Sequence, residues 1–134
     1  MPCGYRLQAT TSGTYRVALN PFHEFAGTYR MSWLTVRPDR VTPFKPGDTL
    51  RGTLGMRAEQ DVFLLEQKAP GSVTFVADGC SANFDIAMYY GDDELIGAAP
   101  ACRMGTVTLP KAGTYRVVMN PFNTVTGAYQ IPTK

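Results

Sequence analysis

Charge, histidine and long apolar runs are all scarce in this chain. No stretch approaches the roughly 20 apolar residues that a membrane-spanning helix needs. The opening Met-Pro-Cys-Gly-Tyr-Arg holds no apolar signal core, so an export signal would have to lie upstream. Charged residues make up only 18% of the 134, with a formal net charge of +2. The cations are also scattered: Arg37 and Arg40 flank Asp39, and Arg57 lies near Glu59 and Asp61. That distribution lacks the basic patch with interleaved aromatics that marks a nucleic-acid binder. One histidine and three cysteines without a CxxC pair fall short of a zinc site. There is no GxSxG elbow, no GxGxxG and no phosphate-binding loop. The expectation is a non-enzyme with no cofactor, no nucleic-acid partner and no membrane insertion. A sustained 3.6-residue apolar stripe is missing too, which excludes long helices.

What the chain does have is strand composition. Thr, Val, Tyr and Phe recur in short runs, separated by 13 Gly and ten Pro that punctuate the chain with turns. Alternating or apolar runs fall at Thr49–Leu54, Asp61–Leu65, Ser72–Val76, Asn83–Tyr90, Glu94–Ile96 and Gly105–Leu109. Short strands at this spacing predict an all-β, jelly-roll-like antiparallel β-sandwich. Phe84, Ile86 and Met88 share one face of their strand, and Tyr89 and Tyr90 point to opposite faces.

The chain also repeats itself. Residues 13–29 read GTYRVALNPFHEFAGTY and residues 113–129 read GTYRVVMNPFNTVTGAY, identical at ten of 17 positions without a gap. Such self-similarity at a constant offset marks a duplication. Each copy reads as a β-hairpin: Tyr15, Val17 and Leu19, or Tyr115, Val117 and Met119, alternate as a half-buried strand. Asn-Pro-Phe then breaks it, and the chain returns through Gly27 and Tyr29 or Gly127 and Tyr129. Tyr15 and Tyr115 are expected in the core. An offset of 100 suggests a tandem array. In that reading residues 42–134 are a complete sandwich repeat. Residues 1–41 are the closing strands of a preceding repeat, docked as an extra hairpin because a lone hairpin is not stable.

The repeat also orders the cysteines. Cys102 lies 11 residues before Gly113, and Cys3 lies ten before Gly13, equivalent places in successive repeats. Cys80 then pairs with Cys102, and Cys3 is left unpaired. A Cys80–Cys102 disulfide implies an oxidising compartment, hence a secreted or cell-surface protein.

Several of these motifs resemble the bacterial pre-peptidase C-terminal domain, a jelly-roll-like sandwich appended to secreted proteases and other exported bacterial proteins. The resemblance is carried by Gly47-Asp48-Thr49-Leu50-Arg51-Gly52-Thr53-Leu54, by Glu59-Gln60-Asp61-Val62-Phe63, and by Phe84-Asp85-Ile86-Ala87-Met88-Tyr89 before Gly91-Asp92. It ends with Ala112-Gly113-Thr114-Tyr115-Arg116-Val117 and Gly127-Ala128-Tyr129. Glu59 stands where the family often carries Asp. The resemblance implies a non-catalytic accessory module and supplies no ligand; the exposed-aromatic reading would have it bind a polysaccharide or a protein surface. The alternative is a spacer repeat, or a strand-addition module, touching only neighbouring repeats. Trp33, Tyr90, Phe22 and Phe122 are the candidate ligand-binding aromatics, since aromatic faces stack on sugars and anchor interfaces. Asp92, Asp93 and Glu94, adjacent on a turn, are weak calcium candidates, as are Asp78 and Asp85.

Overall fold

The computed structural model describes residues 7–20, 24, 26–122 and 125–134. It divides into an N-terminal unit, Met1–Thr35, and a second unit, Val36–Lys134. All the described strands belong to the second unit. They are β1 (Arg40–Phe44), β2 (Thr49–Leu54), β3 (Asp61–Gln67), β4 (Gly71–Phe75), β5 (Asp85–Tyr90), β6 (Glu94–Pro100), β7 (Gly105–Leu109), β8 (Gly113–Met119) and β9 (Gly127–Pro132). The one described helical element is a single 3-10 turn, Ala101–Arg103. The structure is therefore an all-β sandwich, as the period-two runs imply.

One layer is a five-stranded sheet in the order β1-β3-β8-β5-β6. Its neighbours are antiparallel except for β1, which runs parallel to β3. The second layer is built from two ladders, β2–β9 and β4–β7. Residues beyond β9 join them: Thr74 and Lys134 exchange main-chain bonds of 3.0 and 2.9 Å, and the Val76 amide donates to the Pro132 carbonyl at 2.8 Å.

Alternation decides which side chains enter the core. The five-stranded sheet contributes Phe63 and Leu65, Tyr115, Val117 and Met119, and Ile86 and Met88. Against them the second layer sets Leu50 and Leu54, Tyr129 and Ile131, and Val73, Phe75 and Leu109. Aromatic edges lock the layers, with the Phe63 and Phe84 rings both T-shaped against Tyr129. On the outer face of the same sheet, Val62, Val118 and Ala87 form a paired row that is also buried.

Two expectations about the duplicated segment need correction. The second copy is not a hairpin. β8 lies at the centre of the five-stranded sheet, while β9 pairs with β2 in the other layer. The segment between them is an arch that carries the chain from sheet to sheet. Asn120 starts it in the left-handed region at φ 59°, and Pro121 cannot donate to a ladder. Alternation reveals a strand's faces but not its partner, so hairpin and arch look alike in sequence. The first copy forms no strand among its described residues, and Tyr15, Val17 and Leu19 are about half exposed. Tyr115, by contrast, is fully buried. The second copy takes its ladder bonds from β3, β5 and β2, and the described residues of the first copy lie in none of these ladders. The sandwich unit also begins earlier than residue 42: residues 36–41, expected with the N-terminal piece, belong to it, and β1 opens at Arg40.

Candidate functional site

The strands bring two loop ends together, at opposite ends of β8. One end holds the β5–β6 and β7–β8 turns, where Tyr90 stands opposite Tyr115. The β5–β6 ladder skips Ile96 between the Met88 and Tyr89 pairs. The extra residue lies on β6, so β5 keeps its parity and Tyr90 stays on the face of Ile86 and Met88. Its ring packs on Tyr115 with centroids 5.1 Å apart. Its hydroxyl donates to the Ala112 carbonyl at 3.0 Å. The Lys111 ammonium covers the ring at 4.2 Å and is itself held by Glu94 at 3.1 Å. Tyr90 is thus a packed side chain with a cation on its face, not an open platform. Tyr89 is the one that leaves the core side, and Arg116 lies over it at 5.1 Å.

The calcium candidates Asp92, Asp93 and Glu94 sit at this turn, apart from Asp78 in the β4–β5 loop and Asp85 at the start of β5. Glu94 is engaged by Lys111, and Asp92 gives its main-chain carbonyl to Arg116 at 2.6 Å. Among the described residues no group of three or more His, Cys, Asp or Glu is arranged to hold a metal ion.

The other end collects the chain before β1, the β2–β3 loop and the β8–β9 arch, since Asp61 at the start of β3 pairs with Met119 at the end of β8. Its floor is a buried ionic cluster. Asp61 and Glu59 are 2% and 5% exposed. Arg40 donates to both Asp61 oxygens, at 3.0 and 2.9 Å, and Arg37 adds a third bond at 2.9 Å. The Tyr129 hydroxyl supplies a fourth at 2.5 Å. Arg37 also reaches Glu59 at 3.3 Å, and Glu59 caps the Gly55 amide at 2.6 Å. Two carboxylates and two guanidiniums balance, which is the condition for burying them. Burial pushes the Asp61 carboxyl up, but the bonds from Arg40, Tyr129 and Arg37 outweigh it and hold the group below its ordinary value. The Tyr129 phenol is driven far above its ordinary range by burial and by its bond to Asp61. The Asp61 bond raises Arg40 in turn. Gly52 makes room for the cluster: a Cβ there would lie 2.7 Å from Asp61 Oδ2 and overlap the Tyr129 hydroxyl.

On the arch at the same end, Phe122 is 62% exposed. Its arch is pinned from both sides. The Asn120 side-chain amide donates to the Val125 carbonyl at 2.9 Å, and the Gln60 side chain reaches the Pro121 carbonyl at 3.4 Å. Met56 and Arg57 on the β2–β3 loop are exposed at the same end. An exposed aromatic at the same end as an exposed arginine can anchor another surface.

The remaining candidates separate. Trp33 is 69% exposed but belongs to the N-terminal unit, and Phe22 lies outside the described residues. Tyr90 pairs with Tyr115 near the start of β8, whereas Phe122 lies on the arch that leaves β8 after Met119, roughly 13 Å further along by strand rise, so they make no shared platform. Sequence reasoning missed the Arg37–Arg40–Glu59–Asp61–Tyr129 cluster. Its signal was there in Glu59-Gln60-Asp61 set against Arg37 and Arg40, but it read as ordinary surface charge. The expected Cys80–Cys102 disulfide is present, with Cα atoms 5.6 Å apart. It ties the β4–β5 loop to the 3-10 turn after β6. Cys3 lies outside the described residues.

No family model matches the chain, and no curated protein does. Solved structures do. The pre-peptidase C-terminal domain of a collagenase from Bacillus anthracis superposes with a TM-score of 0.51 at 14% identity, covering 75% of this chain and 100% of that domain. Aeromonas hydrophila PliG, a periplasmic lysozyme inhibitor of g-type lysozyme, superposes at 0.54 with 16% identity, covering 72% and 98%. At these identities the likeness is one of fold: the sandwich is that of a pre-peptidase C-terminal-like domain.

Proposed function

We propose that this chain is a non-catalytic accessory module of an exported protein that engages a protein surface through the end carrying Phe122. The observation that carries this reading is the exposure of Phe122 on an arch fixed by Asn120 and Gln60. An apolar side chain whose neighbouring main chain is tied at Pro121 and Val125 has less loop entropy to lose when it is covered, and aromatic and Arg side chains dominate interface energetics. A polysaccharide platform usually needs several open rings, and Tyr90 is already capped by Lys111. The fold likeness supports the same class, since one neighbour is the pre-peptidase C-terminal domain of a collagenase and the other is a periplasmic lysozyme inhibitor. The disulfide supports export.

The test is a binding titration of the full chain against two panels, soluble and insoluble polysaccharides and purified exported proteins including a g-type lysozyme. Binding to a protein should be lost by about tenfold or more in Phe122→Ala and kept in Tyr90→Phe. Polysaccharide binding that survives Phe122→Ala would contradict the reading.

A further inference from the structure

The N-terminal unit holds a second copy of the two strands that close the sandwich, and its described residues already adopt their local geometry. In the sandwich, the Tyr115 hydroxyl donates to the Lys111 carbonyl four residues back, at 2.8 Å. In the N-terminal unit, the Tyr15 hydroxyl donates to the Thr11 carbonyl, also four residues back, at 2.5 Å. Gly113 opens β8 at φ 137° and Gly13 stands at 152°. Asn120 closes β8 at 59° and Asn20 stands at 60°. Yet no described residue from 7 to 35 is in a strand, and Tyr15, Val17, Leu19, Tyr29 and Met31 expose their apolar side chains. Their counterparts Tyr115, Val117, Met119, Tyr129 and Ile131 are all buried.

We infer that residues 13–19 and 27–32 are donor strands, shaped for the β8 and β9 places of a second sandwich of this same repeat type whose own closing strands are absent. Three features specify that acceptor. Position 13–19 needs two flanking strands like β3 and β5, because β8 bonds to both. Position 27–32 needs an edge like β2 in the facing layer. Finally, the acceptor's core must lack the Tyr, Val and Leu that the donor brings. This chain's own sandwich is not the acceptor, since its places are filled by the better copy. Val118 completes the outer row between Val62 and Ala87, where Ala18 would leave two methyl groups missing. Strand addition of this kind gains main-chain bonds and fixes register by alternate side chains. The inference is independent of what Phe122 binds.

Two experiments on the full chain test it. In the first, the sequence of residues 13–32 replaces that of residues 113–132. The chimera should unfold cooperatively with a Tm within about 10 °C of the parent. In the second, an acceptor chain carrying Leu64→Cys, Val17→Asp and Val117→Asp is refolded with a donor chain carrying Arg16→Cys, both with Cys3→Ser. Leu64 faces Arg116 across β3–β8, and opposed strand residues lie within disulfide reach. A cross-linked acceptor–donor pair should form and should be lost when the donor also carries Val17→Asp. An unfolded chimera, no cross-link, or a cross-link indifferent to Val17→Asp would each overturn the inference.

Discussion

At the scale of single residues, Asp61 is where the sandwich stores its charge. A carboxyl held below its ordinary value of 3.8 contributes stability that is complete above the unfolded-state value. That stability is lost as pH falls through the folded one. Denaturant midpoints should therefore be flat from about pH 5 upward and fall below it. Asp61→Asn should remove part of that acid limb and cost about 3 kcal/mol at neutral pH, because two guanidiniums lose their partner. Arg40 is half exposed and can recover water, which keeps the loss from being larger. Gly52→Ala should cost about 2 kcal/mol by overpacking. Combining it with Tyr129→Phe should give less than the sum of the two losses, since both act through one hydroxyl. A urea series on the four proteins checks both points. None of this cluster was legible as a cluster. Its members are spread from residue 37 to residue 129 and meet only because β1 lies beside β3 and β9 crosses beneath it.

At the scale of elements, alternation and turn residues were read well, and connectivity was not. The runs at Thr49–Leu54 and Gly105–Leu109 coincide with β2 and β7, because each is bounded by glycine or proline and buries every second residue. β1 escaped notice. Arg-Val-Thr-Pro-Phe is short, polar and interrupted by proline, and it is an edge strand, where a missing donor is tolerated. The arch between β8 and β9 was read as a hairpin because Asn-Pro-Phe announces a reversal without saying which sheet receives the chain. Tyr90 was singled out because Tyr89 and Tyr90 point to opposite faces, yet strand parity already puts Tyr90 with Phe84, Ile86 and Met88 and leaves Tyr89 outside, as the packing of Tyr90 on Tyr115 shows. The disulfide followed from the repeat, and its worth can be measured. Replacing Cys80 and Cys102 with Ala should cost about 3 kcal/mol, given the 22-residue separation. The variant should still fold, since the core that joins the layers is large.

At the scale of the whole molecule, the two copies of one motif meet different fates. One is the central strand and the layer-crossing return of a closed sandwich; the other has the same local shape but forms no strand among its described residues. The duplication was plain in the sequence, and the asymmetry was not, because it depends on which copy has β3, β5 and β2 beside it. Function follows the same division. The closed sandwich carries the arch that exposes Phe122, the proposed contact with a protein partner, and the N-terminal copy carries the strands inferred to add to another sandwich. The measurement that tests this division most directly is native-state hydrogen exchange on the full chain, read segment by segment. Amides of residues 115–119 should exchange only through global unfolding, while those of residues 15–19 should exchange close to the rate of an unstructured chain. Equal protection of the two segments would contradict it, for both copies would then be paired within the same molecule.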